Sequence, residues 1–577
     1  MALMIPELTV QANAAPAISR VVEVAGSELA PDVDAQLESA LVVDRLGLPN
    51  MFTLVFRDPA RDILGRAGLE VGVKVVISTK SLRADASEEL LSGEVTGIEA
   101  DYDSLGSRAV AHGYDLSHRL TSGRKTKTFQ NVKYSDIARQ IASDAGLQSD
   151  VDETVGTVEH AIQANMSDLD FLYGIARRTG FDCRVEGETL TFKRPVESTS
   201  APAEGDFDSL DPIQLVWNHN LLEFRARISA VAQVAEVKVR GWDPERKEAI
   251  IGQADVSATN AHLPASPSPS ELAGRVGGGI LVVVDHPISG QEAADALATA
   301  KAQQVGSAAY EATAVAIGSP ALKAGVAVSM SGVDPALEGK WVISTTRHEF
   351  GAGSYKTHLE CSGRQDRSLH GLISNGLPGA TGGEASRMTG LVIALVTDND
   401  DPLERGRVRL HYPWLGDDVE SSWARVAMPG AGDGAGLVWL PAVGDEVVVG
   451  FEQDDISYPL VLGGLWNGSD RAPLGGGLFD AGKVKRSGFV SRNGHQLIFF
   501  DGDDESGIAL LSANGEYKVS LNETTNELHV VAGGKLLIEA DSLEIKVKSD
   551  VKINAGSTLD LESSGPMKIK GATVALN

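Results

Sequence analysis

Cysteine is nearly missing: Cys183 and Cys361 are the two among 577 residues, far apart and outside any Cys-x-x-Cys pairing. That excludes a disulfide framework and a zinc ribbon, and points to two buried thiols in a reducing compartment. Long apolar runs are absent too, and none approaches the ~20 residues of a spanning helix. No basic residue precedes Arg20, and the apolar start is interrupted by Pro6 and Glu7, so Met1 to Ala15 does not read as a secretory leader. The expectation is synthesis and assembly in the cytoplasm with no transmembrane segment, and a route outward other than the ordinary secretory signal. Positive charge is also scarce. With 51 Lys and Arg against 79 Asp and Glu, the net charge is −28, and no basic block offsets it. Nucleic acid and anionic membrane are therefore excluded as main partners.

The common catalytic signatures are missing as well. There is no His-Glu-x-x-His, no Gly-x-Ser-x-Gly and no Cys/His metal cluster, and His112, His118, His219, His348, His358, His411 and His495 lack ligand spacing. Gly477 to Val484 nearly spells a phosphate-binding loop, but Val484 stands where a hydroxyl must reach magnesium, and no strand precedes it. Asp398 to Asp401 and Asp501 to Asp504 gather carboxylates without the spacing of a calcium loop, and read as exposed acidic turns.

What is present is β-structure. Phe52 to Phe56, Val71 to Ile77, Cys183 to Val185, Leu190 to Lys193, Gly325 to Met330 and Lys340 to Ser344 read as strands. Helices are expected over 134–145, stopped by Gly146, over 167–178, capped by Ser167, and over 290–305. Seams rich in Pro, Gly and Ser fall at 196–212, 258–279, 371–389 and 467–487. They give a mainly β chain: a barrel-like unit with a helical insertion over 1–200, a second barrel-like unit over 201–375, an OB-type barrel over 388–468 and a repetitive, intertwined β-helix or prism over 485–577, the parts that the resemblance below makes hub barrel 1, hub barrel 2, neck and needle. Five or six short strands are expected in the OB segment, from the patterns at 391–396, 406–410, 422–426, 436–440, 446–451 and 458–462.

The last stretch repeats every eight residues. Leu543, Val551, Leu559 and Met567 form one apolar row; Ile545, Ile553, Leu561 and Ile569 form a second. Apolar residues at i and i+2 define a short strand with one inward face, and Asn554 to Gly556, Ser563 to Gly565 and Gly571-Ala572 turn the chain between strands. Two or three buried aliphatics supply roughly 1.5–3 kcal/mol each. Ordering eight residues costs about 1–2 kcal/mol apiece. A single narrow coil shares little core, so the spacing points to three identical chains wound round one axis, with these eight residues as the core. A single-chain solenoid or a meander in an ordinary sheet is the alternative.

Ordered motifs upstream carry a resemblance. Gly406-Arg-Val-Arg-Leu-His-Tyr-Pro-Trp-Leu415, Glu420-Ser-Ser-Trp-Ala-Arg-Val426, Pro429-Gly-Ala-Gly432, Trp439-Leu-Pro-Ala-Val-Gly-Asp-Glu-Val447, Pro459-Leu-Val-Leu-Gly463 and Leu465-Trp-Asn-Gly468 resemble the OB module of VgrG and phage baseplate-assembly spike proteins. Gln163 to Leu172 with Gly180 resembles the hub of that family, and Ser487 to Leu497 its entry into the needle. The resemblance implies a homotrimeric, non-enzymatic hub-spike at the tip of a contractile injection system. Two barrels per chain would meet a hexameric inner tube protein and other baseplate proteins, and the needle would pierce a target envelope. It further implies a PAAR-repeat tip protein at Val574, Ala575, Leu576 and Asn577, effector cargo, and no cofactor. The Pro413 to Asp418 region resembles the extracellular, phage-tail-like systems more than type VI VgrG. An envelope-degrading peptidoglycan hydrolase is the alternative function. At about 4.7 Å per octad the strict rows make only a short needle, hence the separate tip.

Overall fold

The computed structural model describes residues 18–81, 87–104, 106–243, 246–284, 287–288, 290–351, 354–363, 388–474 and 478–575. Strand dominates over helix, and the chain divides into two compact units, 1–465 and 466–577.

In the first unit an antiparallel sheet of eleven strands runs in the order Leu221–Ile228, Tyr310–Ile317, Ser354–Cys361, Thr345–Gly351, Leu37–Arg45, Met51–Arg57, Gly106–Asp115, Ser87–Asp103, Lys74–Ser81, Ile18–Val24, Ser27–Glu28. Thr345–Gly351 and Leu37–Arg45 pair over seven residues, so strands from 201–375 and 1–200 share one ladder. Alternating burial along Met51–Arg57 sends Phe52, Leu54 and Phe56 into a core with Val42, Val75 and Ile77. A second core gathers Leu221, Tyr310, Val328, Met330 and Trp341.

Two insertions stand on this frame. The first holds the helices Tyr134–Asp144 and Asp168–Thr179, one residue from their expected ends. Ser167 caps the second by accepting from the Asp170 N–H, and Gly180 closes it at φ 76°. The second insertion lays the helix Gln291–Ser307 on the strands Glu236–Asp243 and Glu248–Asp255. Its Ala294, Ala298 and Ala302 are fully buried. A Cβ on Gly252 would come within 2.3 Å of the Ala294 carbonyl, so small residues on both sides permit the close approach.

One expected seam is partly an element. Inside 258–279 lies the helix Pro269–Arg275, with Ser268 accepting from the Glu271 N–H and the Glu271 carboxylate accepting from the Ser268 N–H. Ser-Pro-x-Glu is a capping box with proline at the first helical position, which composition alone reads as loop. The seam 371–389 lies outside the described residues except for 388 and 389.

The OB segment is a five-stranded sheet in the order Arg409–His411, Val392–Asp398, Glu446–Phe451, Pro459–Gly464, Arg425–Val426. Bridges Val408–Ala424 and His411–Glu420 close it. The expected strand at 436–440 is not one: Leu437, Val438, Trp439 and Leu440 lie exposed in a loop from Ala427 to Val443. Their pattern is strand-like, but among the described residues no strand pairs with them.

In the second unit Phe479–Asp480 and Lys483–Val484 form a tight hairpin whose turn residues, Ala481 and Gly482, have φ 48° and 83°. Of the loop-like Gly477 to Val484 motif, Gly477 lies outside the described residues, and the described part from 479 to 484 is a mirror-type turn. A five-stranded antiparallel meander follows: Arg486–Val490, Gln496–Asp501, Ser506–Leu511, Tyr517–Asn522, Glu527–Ala532.

Candidate assembly interface

Beyond Ala532 no described residue belongs to a strand pairing within the chain. The chain bends at Lys548-Ser549, Gly556-Ser557, Ser564-Gly565 and Ala572, an eight-residue rhythm that matches the sequence repeat. Between bends the two apolar rows are uncovered. Exposure of Leu543, Ile545, Val551, Ile553, Leu559, Leu561, Met567 and Ile569 runs from 50% at Met567 to 71% at Ile545. Eight large apolar side chains this open, on backbone with no ladder of its own, lack the two things a strand needs, a covered face and a paired edge. Of the four residues expected to hold a tip protein, Val574 and Ala575 are described and exposed; Leu576 and Asn577 lie outside the described residues.

The meander carries a second open surface that the octads did not reveal. Register aligns Phe489, Leu497, Leu510, Val519 and Val530 straight across five strands, and beside them Ser487, Phe499, Ile508, Leu521 and Leu528. Their exposed members range from 38% at Phe499 to 63% at Leu528. The signal is there in the period-two alternation of Tyr517, Val519 and Leu521 and of Leu528 and Val530. Leu537, eight residues before Ile545, is 68% exposed and extends the second row upward. The open apolar surface of this unit therefore runs from Phe489 to Ile569.

The other sequence-marked groups are structural. Asp401 accepts from the Leu403, Arg405 and Arg407 N–H groups and takes the Arg407 guanidinium at 2.7 and 3.0 Å. That guanidinium holds its carboxyl well below the usual carboxylate range. Asp503 is exposed, 3.5 Å from Lys483. Among the described residues no group of three or more His, Cys, Asp or Glu could hold a metal ion. Cys183 and Cys361 are buried, and burial pushes both thiols up to about 12. No helix among the described residues is long and apolar enough to cross a membrane.

Comparison with known proteins bears on the OB segment first. Residues 392–466 match the family described as the type VI secretion system/phage-baseplate injector OB domain, and residues 84–351 match the Alg8 N-terminal domain. The spike protein VgrG4b of Pseudomonas aeruginosa is 42% identical over 72 residues, 12% of this chain and 9% of that protein. In its OB segment the chain is similar to the VgrG and phage-baseplate spike proteins.

Another VgrG relative matches at lower identity over a longer stretch. The actin cross-linking toxin VgrG1 of Vibrio cholerae is 27% identical over 168 residues, which is 27% of this chain and 15% of the relative. These curated VgrG proteins are thus matched over a small part of their length. A solved VgrG-containing assembly, the lidded Francisella PdpA-VgrG complex, shares the fold with a TM-score of 0.51 at 9% identity, covering 89% of this chain and 80% of that one. The OB segment that the family model spans is the closed sheet described above, with Val396, Leu410, Tyr412, Val447 and Val461 in its buried core.

Proposed function

We propose that three copies of this chain assemble into a non-enzymatic hub-spike, with the octad rows and the apolar face of the meander meeting on the three-fold axis. One observation carries the reading: apolar side chains in strict eight-residue register, bent at every repeat, stand exposed on backbone that has no partner strand among the described residues. Three copies would cover the faces and pair the edges together, as a closed homo-oligomer can. The hub would then present six barrels to a hexameric inner tube, and the needle would lead through a target envelope with a tip protein and cargo. The match of residues 392–466 to the injector OB domain supports this reading, and stiffness and symmetry, rather than a reaction, would be the mechanism. Light scattering tests it: the purified chain should have three times its 60.7 kDa mass and resist SDS without heating. A monomer at micromolar concentration would refute it.

A further inference from the structure

Among the buried titratable groups, His160 stands at a joint. It lies on the strand Val158–Met166 of the first insertion, whose Ile162 and Ala164 belong to the same buried cluster as Ala394, Val408, Leu410 and Phe451 of the OB barrel. Two polar contacts reinforce this apolar one. His160 Nε2 is 3.1 Å from the Glu420 carbonyl oxygen, and Arg178 is 3.3 Å from Asp455, whose side chain is 5% exposed.

A carbonyl only accepts, so Nε2 carries the proton of a neutral ring. Nδ1 is then a bare acceptor, buried and without a hydrogen-bond partner among the described residues. From the OB side the ring faces Arg409, whose guanidinium lies over Trp423 and 3.8 Å from the Glu420 carboxylate. From its own hairpin it faces neutral Gln130, directly across the ladder. Burial, aided by the Arg409 charge, lowers the imidazole to about 4.

We propose that this joint is an acid latch: the first insertion and the OB barrel hold together while His160 is neutral and part when it is protonated. A second ring proton would sit buried on Nδ1, with no acceptor and with Arg409 opposite. Parting returns the ring to water and to its ordinary pKa of about 6.5. The closed form is thus at full strength well above pH 6.5, weakens as pH falls toward about 4, and levels off below; from the upper plateau to the lower the ratio of closed to parted forms drops by roughly 300-fold. The latch lies within one chain and does not depend on the three-copy assembly.

Energy transfer tests it in the full chain. Thr157→Cys and Asp433→Cys place dyes on the insertion and on the OB barrel at exposed positions, while both native thiols are buried. The labelled chain is diluted into excess unlabelled protein so that transfer reports single chains. Transfer should fall reversibly between pH 6.5 and 4 with an unchanged far-ultraviolet circular dichroism spectrum. His160→Gln, which keeps an N–H for the Glu420 carbonyl and cannot titrate, should hold transfer constant over the same range. Constant transfer in the unsubstituted chain down to pH 4, an equal fall in His160→Gln, or a parallel loss of the dichroism signal would each overturn the latch.

Discussion

At the scale of single residues, three buried ionisable groups respond to acid in different ways. Asp115 accepts from the Asn50 and Ser117 N–H groups and from the Ser117 hydroxyl, yet burial pushes it up to about 6. A carboxyl raised in the folded state takes up a proton that the unfolded chain does not, so it adds stability as pH falls from about 6 to about 4. Asp115→Asn should remove about 1–3 kcal/mol of that gain, read as a flatter pH dependence of urea midpoints. Asp401 has the opposite sign. Its folded pKa is depressed, so its contribution is complete above pH 4 and is lost below. Asp401→Ala should cost the OB barrel about 3 kcal/mol at pH 7, because it removes the carboxylate that accepts from the Arg407 guanidinium and from three N–H groups of the turn. Melting at pH 7 and pH 3 checks this, since the deficit should shrink in acid. The sequence showed an acidic cluster at Asp398 to Asp401, but nothing in the spacing says that Asp401 turns inward to Arg407 while its neighbours face water. His160 went unremarked for the same reason, its partner Glu420 being 260 residues away.

At the scale of elements, local chemistry was legible where it is self-contained. Ser167 and Gly180 bracket a helix in the sequence as they do in the fold. The capping box at Ser268 was hidden inside a Pro/Ser run, and Ser268→Ala should cost about 1 kcal/mol, seen as faster amide exchange over Pro269–Arg275. The octad rows were legible because their period is strict. The meander was harder to read, since its rows exist only once five strands are in register, as Leu510 beside Leu497 and Val519 shows. Replacing Ile553 and Leu561 with Asp should bury unpaired charge on the axis, at several kcal/mol per chain. Loss of SDS-resistant species on gels is the expected result. Leu510→Glu should weaken the assembly in the same assay while leaving the monomeric hub's melting unchanged.

At the scale of the whole molecule, the charge of −28 disfavours nucleic acid and anionic lipid whatever the assembly. An assembly held by apolar rows should also be insensitive to salt. Raising sodium chloride from 0.05 to about 1 M, which cuts the screening length to ~3 Å, should leave the mass in solution unchanged, as light scattering can check. The sequence by itself determined the octad period, the OB motifs and the helix ends, because each of these depends on residues within one or two turns of chain. Only the tertiary structure decided that Thr345–Gly351 pairs with Leu37–Arg45, that Ile162 enters the OB core and that the meander leaves one face open. Those depend on contacts between residues tens to hundreds of positions apart, whose partners are chosen by register and burial and leave no mark in local spacing.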